Sequence, residues 1–249
     1  MPIIVCPKCA YARQPERDSH IHEGVCPSCG IAYQKFLDAQ GGAAPPEEVL
    51  AIEEVLVIEE VLGWRERLLQ VPAQVAPAEF WGRAIVWMGV LLWSWRIAGS
   101  GIDPASVGGF IHNINLPFHE FGHVLFRPFG RFMTILGGSL FEIVMPLGLL
   151  WVFLVRQKDS FAAGLMLWWS GENLVDVSVY IADAVLRALP MVGGGGEDGH
   201  DWGNLLTMTH QLHHTQAIAR TSFALGVLLM LAGLAWAALV LRRQHRHLA

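Results

Sequence analysis

The sequence is poor in charged residues. Only 16% of its 249 residues are charged, whereas a soluble domain normally carries about a quarter. Almost all long apolar runs follow Phe80, which predicts a polar N-terminal module joined to a membrane domain. Before Cys6 there is neither a basic region nor an apolar core, so we expect no signal peptide. The net charge of -5 gives no reason to expect a nucleic-acid partner.

Cysteine is confined to the first 29 residues. The four cysteines form two C-x-x-C knuckles, and these are Cys6, Cys9, Cys26 and Cys29. This spacing is typical of a structural zinc site, and Gly30 can supply the backbone torsion that such a turn needs. Two disulfides are the alternative, which a reducing compartment disfavours. Residues 26–33 resemble zinc-ribbon modules, which implies a metal-dependent domain over residues 1–37.

Residues 38–78 are predicted to form an acidic linker. Between Glu47 and Leu62 the chain repeats Glu-Glu-Val-Leu three times with a period of six residues. This period fits neither 3.6 nor 3.5 residues per turn, so no apolar stripe persists along a helix. We interpret the repeat as a helix-prone spacer, with oligomerisation as the alternative.

Residues 79–249 are predicted to form a polytopic helical membrane domain. Five apolar segments are long enough to cross a hydrocarbon core of about 30 Å. They cover residues 80–98, 110–126, 133–155, 161–189 and 217–241. The expected fold class is therefore mainly α, with about five transmembrane helices and a small zinc ribbon. A basic C-terminal tail and a cytosolic ribbon would put both ends in the cytosol, which five crossings cannot satisfy.

The second predicted span carries the sequence His-Glu-Phe-Gly-His. His119 and His123 are four residues apart, so they share one face of a helix and can bind one zinc ion. Glu120 can then act as the general base on a zinc-bound water. Ionisable groups inside a membrane are costly and usually functional. The alternative is a pair of structural histidines beside an unrelated glutamate.

A catalytic zinc usually has three protein ligands and one water. The fourth predicted span offers a polar helical face consisting of Glu172, Asp176, Tyr180 and Asp183. Such a face must look into the protein or into a wet cavity, although a plain polar packing seam is the alternative. We predict Asp176 as the third ligand. The alternates are His200 and Asp201, because a loop hinged on Gly193–Gly196 could close over the metal.

Two further polar residues are predicted to position the site rather than to bind the metal. Glu142 lies in the third predicted span and can orient a metal-binding histidine. Asn173 lies beside the predicted ligands of the fourth span. Gly137 and Gly138, which precede Glu142, allow close approach of a neighbouring helix or of a substrate. A role in helix packing explains Glu142 equally well.

Residues 110–205 resemble the site-2-protease family of intramembrane zinc metalloproteases. The strongest match is at residues 119–123 and the following Gly137-Gly138. The resemblance implies that both histidines of the motif bind zinc, that Glu120 activates water, and that an aspartate from a later transmembrane helix completes the site. The family motif places Asn-Pro before Asp-Gly, or uses Leu-Asp-Gly. Residues 173–176 keep the asparagine and the aspartate but lack the proline and glycine.

The sequence therefore predicts a membrane zinc metallopeptidase that cleaves membrane-protein substrates. We expect one catalytic and one structural zinc, an integral multi-pass protein in the lipid bilayer, and a cytosolic zinc ribbon. One alternative is a non-hydrolytic metal-binding membrane protein, such as a zinc carrier, sensor or transporter. Another is an inactive protease-like assembly factor in which the ribbon is the working part. Glu120 favours proteolysis, because transport requires no carboxylate at that position.

Overall fold

The computed structural model describes residues 5–14, 16–39, 63–104, 109–189 and 199–248. The chain divides into two compact units between Trp64 and Arg65, and each is described by itself. The predicted repeat and the loop Gly193–Gly196 lie outside the described residues. Within the described ranges the chain is mainly helical and has only isolated β-bridges, which confirms the mainly α class.

Within residues 5–14 and 16–39, the first unit consists of two knuckles and a short helix. An antiparallel bridge joins Val5 to Ala12, and a second joins Val25 to Ala32, so each bridge closes one knuckle. The second knuckle turns at Gly30, whose φ is 71°. This left-handed conformation favours glycine, as predicted for that turn. Helix α1, Tyr33–Ala39, follows directly.

The loop between the knuckles is held by Arg13. Its guanidinium donates hydrogen bonds to the backbone carbonyls of Asp18 and His22 at 3.2 Å and of Val25 at 3.0 Å, and also to the carbonyl of Ile21. One cation thus satisfies four carbonyl groups in a segment that has little apolar core. Arg13 therefore serves the fold of the ribbon and is not a free basic group for nucleic acid.

Long helices form the second unit. After the short helix α2, Trp64–Leu68, they are α3, Pro77–Ser100; α4, Phe110–Phe126; α5, Arg131–Trp151; α6, Ser160–Ala182; α7, Asp201–Met208; and α8, Thr215–His245. Val75 is fully buried against Phe80, Phe161 and Val240. Residues 65–78, which the sequence assigned to the linker, thus belong to the second unit.

All five predicted spans contain a long helix, but the fourth helix is shorter than expected. It ends at Ala182 rather than at Leu189. The carboxylate of Asp183 accepts the backbone N–H groups of Ala188 and Leu189 at 3.1 and 2.9 Å. A side chain that binds nearby backbone groups competes with helical pairing, so Asp183 ends the helix.

Two helical segments among the described residues are long and apolar enough to cross a membrane. They cover Arg131–Arg156 and Leu212–His245, in which an 18-residue window has a mean hydropathy of 2.0 and 2.5, respectively. By comparison, α4 has only 17 residues, and α6 contains polar residues at positions 172, 173 and 176 that lower its hydropathy. By length and composition, the structure thus supports two of the five predicted spans.

Glycines bring pairs of helices into backbone contact. A Cβ on Gly171 of α6 would lie 2.6 Å from the carbonyl oxygen of Gly226 of α8, and the reverse distance is the same. Between α4 and α5, a Cβ on Gly137 would lie 2.7 Å from the carbonyl oxygen of Gly122. Small residues permit this approach in membrane helix pairs. The second contact sets α5 directly against the helix that carries the histidine motif.

Candidate metal centres

The four cysteines of the ribbon converge on one point. Their Sγ atoms all lie within 4.8 Å of one another, and the Cys6–Cys29 and Cys9–Cys26 separations are both 3.7 Å. Tetrahedral zinc with Zn–S bonds of about 2.3 Å separates its sulfurs by about 3.8 Å. A disulfide needs about 2.05 Å, and all four thiols are free. The cluster could therefore hold a metal such as zinc.

Backbone groups prepare the ribbon for a metal. Burial raises the pKa of the Cys26 thiol, but the N–H groups of Cys29 and Ser28, together with the thiols of Cys6 and Cys29, outweigh burial, so the pKa is lowered. Burial instead raises the pKa of Cys6. A thiolate is the form that binds metal, and a metal ion shared by the four sulfurs would favour that form.

The histidine motif forms a second cluster of metal-binding groups. His119 and His123 have ring centroids 4.8 Å apart on α4. Their Nε2 atoms both face Asp201 Oδ2, at 3.1 and 3.2 Å. Two ligands of a tetrahedral zinc with bonds of 2.0–2.1 Å are about 3.3 Å apart. The donor types and their spacing therefore fit zinc.

The other ring nitrogens fix the tautomers of this pair. His123 Nδ1 lies 2.8 Å from the carbonyl oxygen of Thr134, which can only accept, so Nδ1 carries the proton. His119 Nδ1 lies 2.8 Å from Glu142 Oε2. An ionised Glu142 likewise accepts from Nδ1 of His119, and in neutral rings both Nε2 atoms then present lone pairs to the Asp201 carboxylate. A metal ion bound by the three groups, or protonation among them, would remove the repulsion between these lone pairs.

Gly138 of α5 leaves room for that cation. A Cβ at this position would lie 2.6 Å from His119 Nε2 and 2.7 Å from His123 Nε2. A methyl group would thus fill the space between the two donor nitrogens. The predicted close approach at Gly137-Gly138 is therefore made by α4, and glycine keeps the centre open.

Asp201, not Asp176, is brought to the histidine pair. Asp176 instead lies 2.8 Å from His112 Nδ1. His112 precedes His119 by seven residues, or about 10.5 Å along a helix, so the preference for Asp176 as third ligand is corrected. Burial raises the pKa of Asp201, but hydrogen bonds and charge interactions with the two histidines of the motif, in their protonated form, outweigh burial and lower the pKa.

His200, the other alternate ligand, is used elsewhere. It is fully buried, with Nε2 3.2 Å from Asp183 Oδ2, while Nδ1 accepts the N–H of Gly203 at 3.0 Å. His200 caps α7, and both of its ring nitrogens have partners within the fold. Its neighbour Asp201, rather than His200, therefore contacts the histidine pair.

The two predicted positioning residues lie where their roles require. Glu142 is buried and contacts His119, as described above. Asn173 is also buried, and its Nδ2 donates to the backbone carbonyl of Glu142. The rest of the polar face of α6 is paired too, since Glu172 accepts a hydrogen bond from Asn115 Nδ2 at 3.0 Å. That face therefore looks into the protein.

A cavity of about 330 Å³ adjoins the second centre. Its wall includes His112, His119, Glu120, His123, Tyr180 and Asp201. Glu120 is exposed beside the two histidines. Sequence reasoning missed His112, although its spacing of seven from His119 places it on the same helical face. It also missed the carbonyl of Thr134, because a backbone oxygen leaves no signal in the sequence.

Comparisons of the chain with protein-family models, curated proteins and solved structures find no match. The resemblance to site-2 proteases thus remains a prediction that rests on the residues of the motif and on Gly137-Gly138.

Proposed function

We propose that this chain is a membrane-embedded zinc metallopeptidase that hydrolyses peptide bonds of membrane-protein substrates. One observation carries the proposal: the Nε2 atoms of His119 and His123 and the carboxylate of Asp201 converge on a space kept open by Gly138. Glu120 stands beside this space in the wall of the cavity. A packing seam needs neither the open space nor the adjacent carboxylate.

The exposed surface of the long helices supports a location in the bilayer. Large apolar side chains follow one face of α3 at steps of four and three, and these are Trp81, Ile85, Met88, Leu92 and Trp95. Such a stripe facing water would cost about 25 cal/mol for each Å² of apolar surface, whereas lipid removes this cost. On this proposal α3, α4, α5, α6 and α8 cross the membrane, and the ribbon lies in the cytosol, where thiols stay reduced.

The chemistry divides among residues of the chain. A zinc ion held by the histidine pair and Asp201 would polarise the scissile carbonyl and lower the pKa of water to about 7. Glu120 accepts a proton from the attacking water and passes it to the leaving amine, as the C–N bond breaks and a C–O bond forms. Glu142 and the carbonyl of Thr134 orient the imidazole rings.

The test is replacement of Glu120 with Gln in the purified full chain. We expect hydrolysis of labelled transmembrane peptides in proteoliposomes to fall at least about 100-fold, since a general base contributes about 10²–10⁴-fold. Zinc content should remain that of the wild type. Glu79→Gln is the matched control, because Glu79 pairs with Arg83 on α3. Retained cleavage in Glu120→Gln would reject the proposal.

A zinc carrier or transporter is the second candidate, and one observation favours it. His112 and Asp176 line both the cavity at the histidine motif and a neighbouring cavity of about 460 Å³. Metal-binding side chains shared by two cavities are what an ion in transit would use. Zinc flux into proteoliposomes that survives Glu120→Gln but is lost in His112→Ala would favour this candidate over proteolysis.

A further inference from the structure

The third ligand of the second centre comes from a short helix that is docked separately. Asp201 is the first residue of α7 and lies 82 positions after His119. Its carboxylate can reach the histidine pair only while α7 is held against α5 and α6. Leu205 and Leu206 are buried, and Trp202 Nε1 donates to Ser139 Oγ at 3.1 Å. These contacts involve residues of α7 that follow its first residue.

Tyr180 of α6 contacts the first residue of α7 directly. Its hydroxyl oxygen accepts the backbone N–H of Asp201 at 2.8 Å. The first N–H groups of a helix have no partner within the helix. His200 satisfies the N–H of Gly203, and Tyr180 satisfies that of Asp201. One side chain of α6 thus holds the backbone of the residue whose carboxylate faces the histidine pair.

The ring of Tyr180 is itself held in place. It packs on the ring of His200 with centroids 4.4 Å apart and lies 6.1 Å from the ring of His119. His200 is fully buried and pairs with Asp183. The hydroxyl therefore belongs to a packed group that spans the end of α6 and the start of α7, next to the histidine pair.

We propose that Tyr180 is a positioning residue of the metal centre, whose hydroxyl fixes Asp201 as the third ligand. This inference rests on the proposed metal centre but does not require hydrolysis. Residues that orient a ligand typically contribute 10–100-fold to metal affinity. We therefore expect Tyr180→Phe to weaken zinc binding at this centre by about 10–100-fold, although the substitution removes no atom that would bind the metal.

The experiment measures zinc affinity of the full chain by competition with chelators of graded strength, and the ribbon zinc serves as an internal reference. Tyr33→Phe is the matched control for the second site only, because Tyr33 packs against Cys6 and Cys26 in the ribbon and its buried hydroxyl has no hydrogen-bond partner among the described residues. It should leave the second zinc within about 2-fold of wild type. Tyr180→Phe is also made in an Asp201→Ala background, to give a double-mutant cycle.

A positioning role predicts strong coupling in this cycle. Asp201→Ala alone should weaken the second site, and adding Tyr180→Phe should then change the affinity by less than about 2-fold. An equal loss in both backgrounds would mean that Tyr180 acts on the fold in general, and would overturn the inference. The inference would also be overturned if Tyr180→Phe kept wild-type zinc affinity at the second site while Asp201→Ala lost zinc there. Wild-type affinity in Asp201→Ala would overturn the metal centre itself, and with it the proposed function.

Discussion

A single methyl group at position 138 should abolish zinc binding at the proposed second site without replacing any ligand. In Gly138→Ala the new Cβ lies 2.6 Å from His119 Nε2 and 2.6 Å from His123 Cε1. Carbon and nitrogen atoms in contact are normally about 3.5 Å apart, so each ring must retreat by nearly 1 Å. The rings cannot do so freely, because their Nδ1 atoms are bound at 2.8 Å to Glu142 and to the carbonyl of Thr134.

The size of the effect follows from the tolerance of zinc for misplaced ligands. Metal–ligand distances hold to within about 0.2 Å, and the methyl group displaces two ligands by several times that amount. We expect the affinity of the second site to fall at least about 100-fold, or about 3 kcal/mol. Overpacking should also cost about 1–3 kcal/mol of stability, against a gain of about 1 kcal/mol from the better helix propensity of alanine.

The assay is zinc content after dialysis against graded chelators, with helical content by circular dichroism as a check on folding. Gly148→Ala is the matched control on the same helix, since a Cβ there meets nothing within 4 Å. We expect two zinc ions in the control and one, in the ribbon, in Gly138→Ala. A folded Gly138→Ala protein that keeps both ions at wild-type affinity would refute the reasoning.

Three further outcomes are expected. Asp201→Asn should weaken zinc binding at the second site at least about 10-fold, whereas Asp176→Asn should leave the zinc content of that site unchanged. If metal analysis showed loss of zinc in Asp176→Asn and not in Asp201→Asn, Asp176 would be the ligand. Cys29→Ser should lower the total zinc by one ion and unfold the ribbon, which loss of exchange protection in residues 5–39 would report. Acid should release the ribbon zinc, because metal binds the thiolates and protons compete for them as the pH falls; a chelating dye would detect it, and tighter binding at lower pH would contradict the four-thiolate site.

Helix positions could largely be predicted from the sequence. Each long apolar run contains a helix, because a buried or lipid-facing segment must satisfy its own backbone hydrogen bonds. The end of α6 could not be predicted, since it depends on the capture of the Ala188 and Leu189 N–H groups by Asp183. The membership of residues 65–78 depended on the burial of Val75, which a linker-like composition does not reveal.

The sequence by itself determined the ligands of each candidate centre that lie close together along the chain. Two histidines at a spacing of four share a helical face, and paired cysteines two residues apart bind from one turn, because these relations follow from backbone geometry over a few residues. Only the tertiary structure decided which carboxylate joins the histidines. Asp176 and Asp201 have the same side chain, and they differ only in the positions of α6 and α7 relative to the histidine pair. It also decided that Gly138 keeps the centre open and that Glu142 and the Thr134 carbonyl orient the rings, since these depend on how closely α5 packs against α4.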